Sequence, residues 1–365
     1  MSLNNIVPFH IESVDSLGQG VSKITDKITF IPKTLPGEKG AARVLAEKSK
    51  IAFAQCEELT TTSPRRVASP CPHFSTCPGC HYLHTDYQYE LELKLKSMNS
   101  LFRNFPDAVP QVISSTQRLH YRNRIQLHYD VKKQKIGFRD AKNNRIVEVP
   151  ECLIARSEIA QVLKSFYQNQ HWLKLVPKNS TTGHVELYYH QQQMKISWNQ
   201  PYAEGGFSQV HEEMNAKLKA EIEKITQGKN YDLVVDLFAG DGNLSNKLAF
   251  KKRIAVDIYP KSLPGPDFFS HNLYAAETIK KLNAQLKNQE ANLLILDPPR
   301  SGLKNLDEWL EMTKAKEVIY VSCDPHTQVR DIGALKNYIV KGLYLLDLFP
   351  STFHFETMVV LERKK

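Results

Sequence analysis

The chain has 365 residues, of which 41% are hydrophobic and 24% charged, and its formal net charge is +9. This composition is that of a folded soluble protein and excludes a disordered or collagen-like chain. No stretch approaches the roughly 20 apolar residues that cross a bilayer, and the first ten residues lack the pattern of a signal peptide. The sequence therefore predicts a multidomain cytoplasmic protein, and its positive charge favours a polyanionic partner such as RNA or DNA.

The first sixty residues contain short apolar runs separated by turn-forming residues. The runs cover residues 11–14, 28–31, 42–45 and 51–57, and the turn signals are Gly18, Gly20 and Pro36-Gly37. Short strands separated by turn-forming residues predict a small β-barrel of the oligonucleotide-binding kind over residues 1–60. The polar residues 60–66, which include Pro64, predict a linker after it.

The middle of the chain, residues 61–200, shows both helical and strand patterns. Helical spacing relates Tyr87, Leu91, Leu95, Met98 and Leu101. Alternating apolar residues within 121–149 indicate a pair of strands instead. This region is predicted to be a central α+β domain.

From residue 201 to residue 365, buried-type apolar runs alternate with stretches that predict helices. The runs cover residues 233–238, 254–256, 293–296 and 318–321. Such alternation is typical of an α/β sheet with parallel strands, as in Rossmann-like domains.

Three of the six cysteines have the spacing Cys71-x5-Cys77-x2-Cys80. A four-ligand metal site needs one more thiolate, for which Cys56 and Cys152 are the candidates. Zinc ribbons usually pair two Cys-x2-Cys motifs, and here there is only one. The spacing therefore favours an iron–sulfur cluster over zinc or over inert thiols, and so low a cysteine content disfavours disulfides.

A glycine turn, Ala239-Gly240-Asp241-Gly242-Asn243, follows the run at 233–238. Its glycines let a ligand approach the backbone, and the third glycine of the dinucleotide fingerprint is replaced by Ser245. The turn therefore favours an adenosine-bearing ligand without a pyrophosphate, such as S-adenosylmethionine. Asp257 has the separation of about twenty residues from Asp236 at which a carboxylate binds ribose hydroxyls, although a strand-end turn residue is the alternative.

Two further motifs follow the next apolar runs. Asp297-Pro298-Pro299-Arg300 ends one run, and Arg300 argues against methylation of an exocyclic amine, for which an aromatic residue is usual at that place. Cys323 ends the other run and is followed by Asp324-Pro325. It is either a nucleophile at the carboxyl edge of the sheet or a structural cysteine.

A last motif, Phe349-Pro350-Ser351-Thr352-Phe353-His354-Phe355-Glu356, precedes a final strand predicted at 357–361. We expect His354 and Glu356 on the same strand face, and either is a candidate base. A thiol that adds to C6 of uracil makes C5 nucleophilic toward a sulfonium methyl group, and a base must then remove the C5 proton.

With these motifs the chain resembles the RNA uracil-5-methyltransferases, in particular the iron–sulfur members that act on 23S rRNA. Those proteins combine a TRAM domain, a cluster domain and a class I methyltransferase domain, and Leu35-Pro36-Gly37-Glu38 resembles the TRAM signature. The resemblance implies domains at 1–60, 61–200 and 201–365. It also implies a four-iron four-sulfur cluster, with Cys152 rather than Cys56 as its fourth ligand; the implied ligands are Cys71, Cys77, Cys80 and Cys152.

The resemblance implies residue roles in the last domain as well. Gln209, in the motif Gly206-Phe207-Ser208-Gln209-Val210 that precedes Asn215, is one implied cofactor contact. The implied cofactor-binding residues are Gln209, Phe238, Asn243, Asp257, Asn272 and Asp297. Cys323 is the implied nucleophile, and Glu356 is the implied base. Between Asp257 and Asn272 the chain is shorter than is usual in the family and contains Pro260, Pro264 and Pro266, which predicts a more open adenine side and weaker cofactor binding.

The leading hypothesis is thus a monomeric, cytoplasmic enzyme that methylates a uridine of 23S rRNA. A tRNA substrate is the alternative within the same family. A non-catalytic RNA-binding protein with a degenerate cofactor site and a zinc-ribbon DNA cytosine methyltransferase are the alternatives outside it.

Overall fold

The computed structural model describes residues 5–23, 26–140, 144–202, 209–258, 267–287 and 289–365. Two compact units are formed. The first comprises Met1–Ser97, Thr116–Gln200 and Phe349–His354. The second comprises Met98–Ser115, Pro201–Leu348 and Phe355–Lys365, so the chain passes between units five times. In the described residues, no helix has both the length and the apolar character needed to span a membrane.

Five strands of the first unit close into a barrel in the order β1-β2-β3-β5-β4. Their bounds are Ile6–Val14 (β1), Gln19–Ser22 (β2), Ile28–Pro32 (β3), Lys39–Glu47 (β4) and Ile51–Thr61 (β5). The N-terminal barrel is therefore confirmed. Gly20 lies inside β2 rather than in a turn, at a place where a Cβ atom would come within 2.1 Å of Thr34 Oγ1.

The predicted helix of the middle region is confirmed as α1, Tyr87–Leu101. Its buried side chains include Leu91 and Met98, but also Glu90 and Lys94. The short strand β6, Pro110–Ile113, follows α1 and belongs to the sheet of the second unit.

A second, antiparallel sheet of the first unit has the order β11-β10-β7-β8-β9. Its strands are Arg124–Asp130 (β7), Lys135–Arg139 (β8), Ile146–Val147 (β9), Thr182–His190 (β10) and Gln193–Trp198 (β11). Helix α2, Ser157–Tyr167, and the 3-10 stretch Gln168–Lys174 complete this part. The alternating residues that predicted strands point into one core, together with the buried face of α2.

The second unit is built on an eight-stranded sheet in the order β14-β13-β12-β15-β16-β18-β17-β6. Its further strands are Tyr231–Leu237 (β12), Phe250–Asp257 (β13), Phe268–Ser270 (β14), Leu293–Leu296 (β15), Glu317–Ser322 (β16), Tyr338–Leu346 (β17) and Glu356–Arg363 (β18). Its helices are Glu212–Thr226 (α3), Ala276–Leu286 (α4), Leu306–Thr313 (α5) and Pro325–Gly333 (α6). The four predicted strands are confirmed and are parallel, whereas β18 runs antiparallel to both neighbours, so the sheet is mixed.

Candidate active site

Strand pairing brings Cys323 and Glu356 opposite each other. The last residue of β16, Ser322, pairs with Thr357 of β18 in an antiparallel register. Continued by one residue, that register sets Cys323 against Glu356, the first residue of β18. Residues that face each other across antiparallel strands have Cβ atoms about 5 Å apart and share a face of the sheet. The thiol and the carboxyl group therefore lie side by side at the carboxyl edge of β16.

Asp297 lies on the same face of the sheet, one strand away. Ile295, two residues before it, pairs with Asp236 of β12 on one side and with Ile319 of β16 on the other. Because alternate residues of a strand share a face, Asp236, Asp297 and Cys323 are brought to one side of the sheet. The sequence motifs that end β12, β15 and β16 thus converge on one edge.

Cys323 lies between the end of β16 and the beginning of α6. The helix starts at Pro325, and the Asp324 carboxylate caps it by accepting hydrogen bonds from the backbone N–H groups of His326, at 3.1 Å, and Thr327, at 3.4 Å. A cysteine in front of a helix N-terminus has a favourable field for its thiolate. The helix N-terminus is therefore one influence in favour of the Cys323 thiolate.

The buried side chain of Gln328 joins the elements that carry the thiol and the carboxyl group. Its Nε2 donates to the Tyr320 carbonyl oxygen of β16 at 2.8 Å. Its Oε1 accepts from Thr357 Oγ1 of β18 at 2.7 Å. Because Gln328 belongs to α6, one amide group fixes the helix and both strands next to Cys323 and Glu356.

Burial and neighbouring carboxylates oppose ionisation at this edge. Burial raises the pKa of the Cys323 thiol to about 12, with Glu356 and Asp297 adding to the effect and Arg300 opposing it. Burial, and then Asp297, also hold the pKa of Glu356 well above its usual range, while Arg300 again lowers it. Among the described residues, Glu356 Oε2 has no hydrogen-bond partner. In the free protein the Cys323 thiol therefore holds its proton near neutral pH, and burial disfavours the ionised form of Glu356.

Asp236 and Asp297 form a second pair of perturbed carboxyl groups. Burial raises the pKa of Asp236 to about 7, although a hydrogen bond from Ser245 Oγ opposes the shift. Burial and the charge of Asp236 raise the pKa of Asp297. Clusters of perturbed carboxyl groups at the carboxyl edge of an α/β sheet are typical of functional sites.

The glycine turn after β12 leaves its backbone open. Phe238, Gly240 and Gly242 all have positive φ, of 58°, 51° and 73°. A Cβ atom added to Gly240 would have no neighbouring atom within 4 Å. The backbone N–H of Gly240 donates to Asp257 Oδ2 at 2.8 Å. The turn and the carboxylate of Asp257, the last residue of β13, thus frame an open backbone surface, which fits the approach of an adenosine-bearing ligand.

Two other predicted cofactor residues make contacts within the second unit. The side-chain amides of Asn243 and Asn215 exchange two hydrogen bonds, of 2.9 Å and 3.1 Å. Asn272 Oδ1 accepts from the Tyr274 N–H at 3.0 Å. Gln209 lies just before α3. Residues 206–208 of its motif, and Pro260, Pro264 and Pro266 of the shortened segment, lie outside the described residues.

Tyr274 is a site-edge residue that the motifs did not indicate. Its ring lies 5.7 Å from that of Phe238. Its hydroxyl group is 2.8 Å from Ser301 Oγ and donates to the Gly302 carbonyl oxygen at 3.1 Å. It therefore connects the glycine turn with the loop that follows Asp297. A single tyrosine outside any motif gives no sequence signal of this contact.

The expected placement of His354 beside Glu356 is wrong. Strand β18 begins at Glu356, and His354 belongs to the segment Phe349–His354 of the first unit. Its ring packs against that of Phe353, with the centroids 3.9 Å apart. Irregular backbone at residues 354–355, not an extended strand, precedes Glu356, so the alternation that the prediction assumed does not reach His354.

The four implied cluster ligands are free thiols in two adjoining groups of the first unit. Cys71, Cys80 and Cys152 pack in one apolar cluster, and Cys77 packs against Val147 in another. Burial raises the pKa of Cys77 to about 11, and the neighbouring thiols contribute to the shift. Their chemistry suits a metal site, yet no group of three or more His, Cys, Asp or Glu within the described ranges is arranged to hold a metal ion.

Comparisons with known proteins point to one family. Residues 265–364 match the family model described as tRNA (uracil-5-)-methyltransferase. The chain is 26% identical to the 23S rRNA (uracil(1939)-C(5))-methyltransferase RlmD of Vibrio vulnificus, over 97% of this chain and 95% of the relative. It is 28% identical to the protein of that name from Francisella tularensis subsp. novicida, over 95% and 94%.

A solved structure has the same fold. The Pyrococcus abyssi tRNA (uracil-54, C5)-methyltransferase, in complex with S-adenosyl-L-homocysteine, superimposes with a TM-score of 0.65 at 19% identity. The match covers 97% of this chain and 100% of that one. The chain therefore has the fold of that methyltransferase. Over nearly its whole length the chain is similar to RNA uracil-5-methyltransferases, and its last hundred residues match the model of such a family.

Proposed function

We propose that the protein transfers a methyl group from S-adenosylmethionine to C5 of a uridine in 23S rRNA. The observation that carries the proposal is the register that sets Cys323 opposite Glu356 at the carboxyl edge of β16. The relatives that are similar over nearly the whole chain bear the name of 23S rRNA methyltransferases, which supports that substrate.

In the proposed mechanism, Cys323 passes its proton to solvent and reacts as a thiolate, whose sulfur adds to C6 of the uracil to give an enolate. The cofactor supplies an electrophilic methyl group, which C5 takes up. Glu356, in its ionised form, then accepts the C5 proton. The resulting enolate restores the C5–C6 double bond as the bond from C6 to sulfur breaks, and the enzyme is regenerated with a methylated base.

We further propose cofactor roles for the residues around the glycine turn and the sheet edge. These residues are Gln209, Phe238, Asn243, Asp257, Asn272 and Asp297. The open backbone at Gly240 and the adjacent Asp257 carboxylate support the placement of the adenosine there. An alternative role for Asp297 is to orient the uracil, since Asp297 lies between the glycine turn and Cys323.

The cysteines of the first unit are proposed to hold a four-iron four-sulfur cluster. Cys71, Cys77, Cys80 and Cys152 would be its ligands, and the packing of three of them in one cluster supports this set. The domain division at 1–60, 61–200 and 201–365 and a monomeric state belong to the same proposal.

The test is covalent trapping. Purified protein is incubated without oxygen with 5-fluorouracil-substituted total RNA and S-adenosylmethionine, and then run on a denaturing gel. Fluorine at C5 does not leave as a proton, so the enzyme should stall as an adduct. We expect an adduct with wild type that requires the cofactor, and none with Cys323→Ala.

A second variant separates the two chemical steps. Glu356→Gln should form the adduct even with unmodified RNA, because the C5 proton then has no acceptor. Sequencing of the trapped RNA would distinguish 23S rRNA from tRNA. If wild type binds RNA but forms no adduct, a non-catalytic RNA-binding role replaces the enzymatic one.

A further inference from the structure

Phe349–His354 is a short stretch that belongs to the first unit, although the strands on both sides of it, β17 and β18, belong to the second. It forms most of the connection between β17, which ends at Leu346, and β18, which begins at Glu356. Nine residues separate these two ends, so six of the nine are held in the first unit.

A buried carboxylate holds the middle of this segment. Glu90 Oε1 accepts a hydrogen bond from the backbone N–H of Ser351 at 2.6 Å and another from Lys94 Nζ at 2.7 Å. Lys94 Nζ also donates to the Phe349 carbonyl oxygen at 3.2 Å. Glu90, Lys94 and Ser351 are each at most 1% exposed. The buried charged pair of α1 thus forms hydrogen bonds with the backbone of a segment that lies 255 to 261 residues further along the chain.

Arg118 is a second cationic partner of Glu90. Its guanidinium group lies 2.8 Å from Glu90 Oε2 and donates to the carbonyl oxygens of Thr85, at 2.7 Å, and Tyr82, at 2.6 Å. One carboxylate therefore has two cationic partners, and all three charged groups have hydrogen bonds. Buried charges with such partners hold a single geometry, because any shift would leave one of them unsatisfied.

Further bonds fix the carbonyl groups of Pro350 and Ser351. The Ser351 carbonyl oxygen accepts from the N–H groups of His81, at 2.8 Å, and Tyr82, at 3.1 Å. The Tyr121 hydroxyl group donates to the Pro350 carbonyl oxygen at 2.9 Å. Ser351 has a φ of 71°, a left-handed conformation that a serine adopts only where its surroundings enforce it.

From these contacts we infer that Glu90, with Lys94, Arg118 and Tyr121, is a positioning residue for the base Glu356. The inference rests on the proposed function. Glu356 is the first residue of β18, and the end of a strand is where pairing frays. Because Phe349–His354 is anchored, the connection between β17 and β18 has little freedom to move. The Glu356 carboxyl group is therefore held where it meets the C5 proton. Cys323 reaches the site from β16 and does not depend on this anchor.

The test compares the two chemical steps in Glu90→Gln. With unmodified RNA, we expect turnover to fall by about 10²-fold, the usual effect of displacing a reacting group by about 1 Å. Covalent adduct should then accumulate on unmodified RNA. With 5-fluorouracil-substituted RNA, whose trapping does not use the base, the rate of adduct formation should stay within about twofold of wild type, as expected of an unchanged thiol step.

Glu90→Gln leaves Lys94 and Arg118 without their anionic partner and so could fail to fold. Tyr121→Phe is therefore the second variant. It removes one neutral hydrogen bond to the segment and should slow turnover by about fivefold, with the adduct rate unchanged. Its matched control is Tyr129→Phe, which removes a buried hydroxyl group that bonds to Asn199 instead. The control should leave both rates unchanged.

The outcomes are distinct. A parallel fall of adduct formation and turnover in Tyr121→Phe or Glu90→Gln would overturn the inference, since the network would then only support the fold. Wild-type turnover in a folded Glu90→Gln variant, or in Tyr121→Phe where Glu90→Gln does not fold, would overturn it as well. If wild type itself forms no adduct with the fluorinated RNA, the proposed function fails, and the inference fails with it.

Discussion

At the residue scale, the setting of Cys323 contains two opposed influences. The N-terminus of α6 favours a thiolate, whereas burial and the carboxyl groups of Glu356 and Asp297 favour the thiol. The resulting pKa of about 12 indicates that the Cys323 thiol stays protonated near neutral pH. A thiol that stays protonated until a uracil of the RNA enters the site would undergo fewer side reactions in a cell.

This leads to a prediction for the alkylation of Cys323. Because only the thiolate reacts, the rate with iodoacetamide should rise about tenfold per pH unit from about pH 7 to about pH 9, without a plateau. Mass spectrometry of the Cys323 peptide measures this rate, with Cys323→Ala to assign the peptide. A plateau near pH 8 would contradict the raised pKa.

Asp236 supports a prediction on stability. Its folded pKa of about 7 lies above the unfolded value near 4, so the folded state binds more protons between these limits. Its contribution to the free energy of unfolding is therefore complete below about pH 4 and is lost as the pH rises to about 7. Asp236→Asn, which keeps an oxygen for Ser245 Oγ, does not titrate.

The free energy of unfolding of Asp236→Asn, relative to wild type, should thus increase from pH 4 to pH 8. At about 1.4 kcal/mol per pKa unit, the change is at most about 4 kcal/mol. Guanidinium titrations at the two pH values measure it. A difference between the two proteins that is the same at both pH values would show that the carboxyl group is not perturbed.

At the element scale, the loop of cysteines depends on a residue of the barrel. Lys33 follows β3, and its ammonium group donates to the carbonyl oxygens of Phe74, Ser75, at 3.2 Å, and Cys77, at 2.9 Å. It also lies 4.9 Å from the centre of the Phe74 ring. One cation therefore fixes three carbonyl groups of the loop that contains Cys71, Cys77 and Cys80.

Lys33→Met should loosen this loop. We expect a lower iron content per chain and a faster loss of the absorbance near 400 nm in air, because the proposed ligands would no longer be held together. Lys48→Met, which changes an exposed lysine of the same barrel, is the control. Equal iron content and equal decay in the two variants would contradict the role of Lys33.

The sequence predicted those elements whose signal is local. Helix α1 and the apolar strands of the second unit were confirmed because periodicity and composition are read within one segment. The placement of Cys323 at the carboxyl edge followed from its position after a predicted strand, whereas the pairing of Glu356 with it depends on the antiparallel register of β18, which no motif shows. The burial of Glu90 and Lys94 was missed, because such side chains are rarely buried and their partners lie far along the chain. His354 was misplaced for a related reason: a segment that leaves its own sheet has no periodicity to show it.

At the scale of the whole molecule, the net charge of +9 predicts salt-sensitive RNA binding. Each phosphate that is neutralised by Lys or Arg releases counterions, so log K should fall linearly with log salt, by at least about tenfold from about 50 to about 200 mM. Filter binding of 23S rRNA fragments measures the slope. The adduct rate at saturating RNA should not change over this range, and a flat binding curve would contradict the electrostatic account.

The route of the chain also has a consequence for synthesis. The ribosome makes Glu90 and Lys94 long before Phe349 and Ser351, and Ser351 lies 261 residues beyond Glu90. Until residue 351 has emerged, these side chains await their last partners, and the first unit remains incomplete although most of its sequence is already exposed. Folding of this protein is therefore finished from its C-terminal end, and a nascent chain that stops before residue 349 should be a substrate for chaperones rather than a stable N-terminal fragment.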